Sequence, residues 1–382
     1  MLERPEHGRA VEAAGRVVET FLASIGSSDV AAHAAVFRAF EALETVVDLS
    51  ALIRFRPQWR RAPPPPPRRN VLVIKLSALG DFIQALGPAM AIRRHHAGDR
   101  ITLLTTEPYV ALARETRLFD EILIDRRPKL WHASDWRALR HRLRAGQFDR
   151  VYDLQTSDRS SIYAWLLRPG RRPQWSGIAW RCSHPHANLE RYPQHTIDKQ
   201  AEQLLMAGIH PVPLPTCPRI ARKLPPGLLD GGFVLLIPGS SPRHLEKRWP
   251  APHFAKLARR LCEDGYLPVV VGAAEEQPIG AEIGAVCPAA VDLIGKTDLL
   301  DLARLAAGAA FTIGNDTGAT HMAATAGNPV VVLFSQASEP SRCAPRGRLV
   351  RVLSEANLAD LAIERVLAEA IDVASAARLR QH

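Results

Sequence analysis

The stretch VLVIKLSALGDFIQALGPAMAIRR, residues 71–94, decides the reading of this chain. It begins as a short apolar run, bends at Gly80, and continues through residues 81–96 in a pattern that predicts a helix. A strand buried on both faces that turns directly into a helix is the repeating unit of a parallel sheet with crossover helices. No GxGxxG accompanies this turn, which argues against a dinucleotide cofactor.

The same alternation runs outward from it. RITLLTT, EILID and FDRVYDLQ predict three further buried strands, with a helix over 133–145 among them. Near residue 210 the pattern breaks in HPVPLPTCPRIARKLPPGLLDGG, rich in proline and glycine, which reads as an interdomain linker. A second series follows in GFVLLIP, LPVVVGA, AVDLIG, AAFTIGND and NPVVVLF, and a helix over 357–376 closes the chain. The expected organisation is α/β: two Rossmann-like domains, 70–210 and 232–382, joined by a linker over 211–231. Between their strand ends lies a cleft, the default ligand site of open α/β sheets.

Ahead of this body, residues 1–62 read as a helical extension. Val17, Phe21 and Ile25 keep one face apolar, and Val36, Phe40, Leu43 and Val47 another. Residues 63–69 are a proline-rich spacer whose run of five prolines forbids helix and sheet. An appendage on such a spacer can touch a membrane surface or a partner, or pack on the main body, the preferred reading.

Composition sets the class. With 382 residues, 47% hydrophobic and 23% charged, the chain is globular and too long for one ordinary core. The start, MLERPEHGRAVE, has no secretory pattern, and no apolar stretch is long enough to span a bilayer. Cys182, Cys217, Cys262, Cys287 and Cys343 are odd in number and form no CxxC, which fits buried free thiols in a reducing cytoplasm. Lys and Arg number 10 against 8 Asp and Glu over 1–70, 22 against 14 over 71–220, and 17 against 17 beyond. The basic excess in the middle favours an anionic partner, unless it reflects only Arg-rich composition.

Three loops carry candidate chemistry. In Lys75-Leu76-Ser77-Ala78-Leu79-Gly80-Asp81, the carboxylate falls in the first helical turn at the cleft, where it can deprotonate a hydroxyl or simply complement the helix dipole. In Pro238-Gly239-Ser240-Ser241, followed by Lys247-Arg248-Trp249-Pro250, small residues let backbone N–H groups approach a phosphate. Lys247 would add a charge-assisted bond of about 1.5–3 kcal/mol, or the segment is an exposed basic loop. In Gly314-Asn315-Asp316-Thr317-Gly318 and His321, a helix start with Thr317 as its cap suits a diphosphate. There Asp316 would grip sugar hydroxyls, position a donor, or cap the helix. Glu275 and Glu276, after PVVVGA, can accept from ribose hydroxyls or serve as helix-start carboxylates. Cys182-Ser183-His184-Pro185-His186 lacks a second ligand pair for a metal, no Asp-x-Asp occurs, and His95-His96 reads as a solvated helix end.

Together, VLVIKLSALGDFIQALGPAMAIRR, IPGSSPRHLEKRWPAPHFAKLA and LIGKTDLLDLARLAAGAAFTIGNDTGATHMAATAGNPVVVLF resemble the family-nine glycosyltransferases, the ADP-heptose:lipopolysaccharide heptosyltransferases among them. The resemblance covers about residues 70–345, leaving 1–69 outside and 171–195 unaligned. It implies a GT-B fold with acceptor on the N-terminal domain and nucleotide-sugar donor on the C-terminal one. By position, Asp81 corresponds to the general base and Lys247 to the lysine on the donor phosphates. Asp316, Gly318 and His321, with Thr317, match the donor-binding segment; Glu276 the ribose carboxylate; Thr297 the adenine side. Ser240 and Ser241 join the donor set, while Ser77, Arg126, Arg127 and Lys129 are the candidate acceptor contacts.

The implied reaction is inverting, metal-independent and free of cofactors. It transfers heptose from ADP-heptose to an acidic or lipid-linked glycan such as lipopolysaccharide inner core. The enzyme is expected in the cytoplasm, with a peripheral contact at the inner membrane face and no nucleic-acid partner. A catalytically silent nucleotide-binding or scaffolding module is the alternative; the presence of both Asp81 and Lys247 argues against it. A nicotinamide oxidoreductase ranks third, for want of the glycine fingerprint.

Overall fold

Val71, Leu72, Val73 and Ile74 are at most 1% exposed, as a strand covered on both faces requires. They form most of β1 (Asn70–Ile74), the centre of a parallel sheet. Its other strands are β2 (Arg100–Thr105), β3 (Glu121–Ile124), β4 (Arg150–Asp153), β5 (Gln174–Gly177) and β6 (His184–Pro185), in the order β3-β2-β1-β4-β5-β6. The second sheet is also parallel: β7 (Phe233–Ile237), β8 (Leu267–Val270), β9 (Val291–Asp292), β10 (Thr312–Asn315), β11 (Val330–Phe334) and β12 (Val350–Ser354). Its order is β12-β11-β10-β7-β8-β9. This computed structural model describes residues 68–379 apart from 130, 169 and 171; the predicted extension 1–62 and the five prolines of the spacer lie outside the described residues. Two such sheets with crossover helices make a GT-B fold.

Helices cover both faces of each sheet. Helices Ala133–Ala145 and Asp158–Leu166 flank the outer face of the first sheet, where Leu72, Ile74, Leu139, Leu143 and Tyr163 share one apolar cluster. Helices Ala251–Glu263 and Ile363–Arg378 do the same for the second, around Trp249, Phe254 and Val366. Between the sheets a third cluster is continuous, running from Val71, Ile83 and Leu103 to Leu235, Leu305, Met322 and Val332. Polar bonds join the halves beside it: Arg346 grips Asp198 with two bonds of 2.6 Å, and His195 Nε2 lies 2.9 Å from the Ala344 carbonyl.

Several elements depart from the sequence pattern. The helix predicted over 81–96 is two, Leu79–Gln84 and Leu86–His95, meeting at Ala85. Pro88 explains the break, since it has no N–H for the Gln84 carbonyl and its ring crowds that group. The terminal helix starts late, at Ile363, after a 3-10 turn over Leu358–Asp360 that Asn357 caps. β5, β6 and β12 escape the pattern altogether: QWSG and HP are too short to show a period, and His184–Pro185 forms a sheet edge, where a proline is tolerated. His96 is not a solvated helix end; it is buried between Asp99 (2.7 Å) and the Tyr152 hydroxyl (2.8 Å). Of the five thiols only Cys287 is fully buried. Among the described residues no helix is long and apolar enough to cross a membrane.

Candidate active site

Each sheet reverses its strand order once, and the three motif loops sit at those reversals. From β1 the chain proceeds outward through β2 and β3, then returns to the other side at β4; from β7 it goes through β8 and β9, then returns at β10. The crevice outside the carboxyl ends at such a switch point is where open α/β sheets bind ligands. Residues 75–81 leave β1, 238–247 leave β7 and 316–318 leave β10. The fourth loop of this set, 154–157 after β4, carried no recognisable motif.

On the first sheet, Asp81 is half-buried in the opening turn of helix Leu79–Gln84, and its Oδ2 accepts from the Ala78 N–H at 3.3 Å. It therefore serves as helix cap while its carboxylate borders the crevice. The approach to it is held from below by Gln155, whose Oε1 accepts from the N–H groups of Leu76 (2.8 Å) and Ser77 (3.1 Å). The Ser77–Ala78 peptide in this loop is cis. Lys75 is buried, with Nζ 3.2 Å from the Leu154 carbonyl; burial lowers its pKa, while Asp81 and Asp153 pull the other way. Asp153 has no solvent exposure, and burial raises its carboxyl to about 6 although Gln155 and Thr156 N–H groups donate to it. Half-buried Lys199 lies within electrostatic reach of Asp81 from helix Thr196–Met206; burial lowers its pKa, as do Arg342 and Arg191.

The predicted basic residues after β3 do not converge. Arg127, at φ 51°, donates through Nη2 to Ser77 Oγ and so reaches the Asp81 loop. Lys129 turns its ammonium over the Trp131 ring, 5.6 Å from the centroid, and Arg126 is exposed.

On the second sheet, Lys247 Nζ lies 2.8 Å from Asp316 Oδ2, and Ser338 Oγ donates to the same oxygen at 2.8 Å. His321 faces the other carboxylate oxygen, Nε2 to Oδ1 at 3.9 Å. Gln84, from the first half, places its amide nitrogen 3.2 Å from His321 Nδ1 and 3.4 Å from the Cys343 carbonyl. An amide N–H can only donate, so Nδ1 accepts and the imidazole proton sits on Nε2, toward Asp316. Burial pushes His321 down to about 4 despite the opposing pull of Asp316 and Asp81, so the ring is neutral at neutral pH. Asn315 braces the loops, donating to the Pro238 carbonyl (2.7 Å) and accepting from Trp249 N–H (3.0 Å). Thr317 stands at the N-cap position of helix Gly318–Thr325, but its side chain makes no capping bond.

The two loop sets meet at a pair of glycines. A Cβ on Gly318 would lie 2.8 Å from the Gly80 nitrogen and 2.6 Å from Leu79 Cβ; one on Gly80 would lie 3.1 Å from His321 Cδ2. Only residues without side chains allow this approach. The start of helix Gly318–Thr325 is thus packed against the Asp81 turn and is not open to an empty cleft.

The remaining predicted donor residues extend away from Asp316 along the C-terminal ends of β7, β8 and β9. Ser240 is buried, with its hydroxyl to the His244 carbonyl (2.9 Å) and Arg248 Nε to its Oγ (3.1 Å); Ser241 is exposed. Glu276 is buried and its pKa raised by that burial, against the Ala273 N–H (2.9 Å) and Arg248 (3.4 Å). It lies on Gly239 so closely that a Cβ there would sit 1.9 Å from Oε1. Glu275 is exposed. Thr297 is half-buried in the adjoining loop, which Gly295 N–H ties to the Gly272 carbonyl (2.9 Å) and Gln277 to the Ile294 carbonyl (2.6 Å). A groove of about 1070 Å³ lies elsewhere, beneath the N-terminal ends of β7, β10, β11 and β12, and holds none of these residues.

Residues 213–369 match the model of glycosyltransferase family 9 (heptosyltransferase). Lipooligosaccharide heptosyltransferase 2 of Haemophilus influenzae is 37% identical over 97 residues, 24% of this chain and only 28% of that protein's length. Lipopolysaccharide heptosyltransferase 1 of Pseudomonas aeruginosa is 25% identical over 281 residues, covering 69% of this chain and 78% of its own. The solved structure of E. coli ADP-heptose lps heptosyltransferase II superposes with a TM-score of 0.66 at 22% identity, over 81% of this chain and 99% of that one, a likeness of fold.

Proposed function

We propose that this chain, whose residues 213–369 match the family 9 model, is a glycosyltransferase that transfers heptose from ADP-heptose to an acidic, lipid-linked glycan. The observation that carries this reading is the meeting of Gly80 and Gly318, which sets the Asp81 turn of one half against the Lys247–Asp316–His321 group of the other. The halves 70–210 and 232–382 then serve as acceptor and donor domains, joined through 211–231.

The reaction is a single displacement with inversion. Asp81 takes the proton of the acceptor hydroxyl as its oxygen bonds to the anomeric carbon, and the bond from that carbon to the diphosphate breaks with its electron pair leaving on ADP. Lys247 neutralises the departing diphosphate, the kind of preorganised charge that usually supplies the largest catalytic share. Asp316 and neutral His321 orient the sugar hydroxyls, Glu276 accepts from the ribose, Thr297 borders the adenine, and Ser240, Ser241 and Thr317 complete the donor contacts. No metal or cofactor takes part. Arg127 with Ser77, and Arg126 and Lys129 beyond them, meet acceptor anions. Lipopolysaccharide inner core, rich in phosphate and carboxylate, is the fitting acceptor, and it places the enzyme on the cytoplasmic side of the inner membrane.

Nucleotide release, measured against a panel of nucleotide sugars with a lipopolysaccharide-core acceptor, tests the reading. ADP-heptose should stand out, and equal release from UDP- or GDP-sugars would discard the donor assignment. No release from any sugar would favour the silent binding module.

A further inference from the structure

We propose that the face carrying Trp165 and Trp180 is a docking surface for an anionic lipid bilayer. The two indoles stack in parallel, 5.9 Å apart with 6° between their planes. Both face solvent, Trp165 at 52% exposure and Trp180 at 62%. Each lies under a guanidinium: Arg168 is 4.7 Å from the Trp165 ring and Arg181 4.6 Å from that of Trp180. Ile162, also exposed, precedes Trp165 by three residues in helix Asp158–Leu166 and so shares its side of the helix.

Folding gains nothing from leaving two large indoles in water; a patch of this kind marks a surface that something else covers. The pattern is wider than one pair. Trp131, Trp165, Trp180 and Tyr192 are the exposed aromatic residues among those described, all lie in the first half, and each has a Lys or Arg over its ring. The same half holds the basic excess of 22 against 14. Charge complementarity selects the occupant. Tryptophan settles at the headgroup level of a bilayer, where its ring is half in hydrocarbon and its N–H wet, while arginines beside it meet anionic headgroups. An aromatic–cationic surface of this sort lies on the membrane without spanning it.

The inference goes beyond glycosyl transfer and is tested without donor or acceptor, so its failure leaves the transferase reading standing. The full chain is sedimented with vesicles of phosphatidylcholine containing phosphatidylglycerol, and with phosphatidylcholine alone. Binding to the anionic vesicles is expected to exceed that to the neutral ones. Arg168→Gln with Arg181→Gln should weaken it by about thirtyfold, from the usual worth of two surface cations. Trp165→Ala with Trp180→Ala should weaken it by about tenfold or more, through lost apolar contact. Both variants should keep the far-UV circular dichroism and the turnover of a water-soluble acceptor fragment. Equal binding to both vesicle types, or binding that both variants retain, would overturn the proposal. So would self-association, or polyuridylate binding, that the variants abolish while wild-type chain ignores vesicles.

Discussion

Lys247 and Asp316 form a 2.8 Å ion pair between the loops that follow β7 and β10, with only 19% and 8% of their side chains exposed. The lysine is thus already aimed by a carboxylate that Ser338 fixes from the other side. Lys247→Gln is expected to lower kcat/KM by about 10²–10³-fold, the usual cost of losing one preorganised donor. It should also lower stability by about 1–3 kcal/mol, because Asp316 is left buried without its counter-charge. Adding Asp316→Asn should recover stability but not activity, read by urea unfolding beside nucleotide release. Recovery of both would mean that the pair is only structural.

Asp81→Asn is expected to reduce turnover by about 10²–10⁴-fold, the ordinary share of a general base. Donor affinity should stay near wild type, since Asp81 belongs to the first sheet. Measured with saturating acceptor, a kcat close to wild type would remove Asp81 from the base role.

Two buried groups pull stability in opposite directions with pH. His321 titrates near 4 in the fold and near 6.5 when unfolded, so the unfolded chain binds the extra proton between those values and stability rises with pH there. Asp153 titrates near 6 in the fold and near 3.8 unfolded, so the native state binds the extra proton and stability falls with pH across that window. Each moves by on the order of 2 pH units, or about 3 kcal/mol, and the two act with opposite sign. Relative to wild type, Asp153→Asn should therefore gain stability from pH 4 to 6, while His321→Gln should lose it. Urea midpoints at both ends of the range decide it; parallel profiles for all three proteins would refute both assignments.

Activity should survive excess EDTA, because the Lys247 ammonium supplies the positive charge that a divalent ion supplies elsewhere. Loss of turnover on chelation, restored by Mn²⁺ or Mg²⁺, would show that the lysine is not sufficient.

Acceptor KM should rise more steeply with NaCl than donor KM. Arg126 and Lys129 are exposed and act across a Debye length of about 8 Å at physiological salt, whereas Lys247 works from an enclosed pair. Titrations from about 50 to 400 mM bracket that screening range. Equal slopes would make the basic excess compositional.

What could be read from the sequence is what depends on short-range pattern. Apolar runs ending in glycine turns locate β1, β7 and β10, and those turns bring Asp81, Lys247 and Asp316 to the switch points. Gln155, Lys75, Asp153 and Lys199 could not be singled out, since their importance lies in partners far along the chain: Gln155 holds the backbone at Leu76 and Ser77, 79 and 78 residues away. His96 is the same case, a histidine whose burial depends on Tyr152, 56 residues later. β12 is read past because its side chains are largely exposed, with Leu353 alone buried, and it pairs with β11 as an edge. The Pro88 break is of the same short-range kind: the proline falls at the eighth position of the stretch 81–96 and removes the bond to the Gln84 carbonyl on which a continuous helix depends.

The apolar cluster between the sheets has a consequence for the unity of the molecule. Its members alternate in origin, Ile83 and Leu103 from one half, Leu305 and Met322 from the other, and Val212 and Cys217 of the connecting segment pack on it. Severing the chain within 211–231 would leave each fragment with one finished face and one bare one, a surface fit for aggregation. The halves therefore depend on each other for existence as folded bodies, and heat or urea should melt them in one cooperative step.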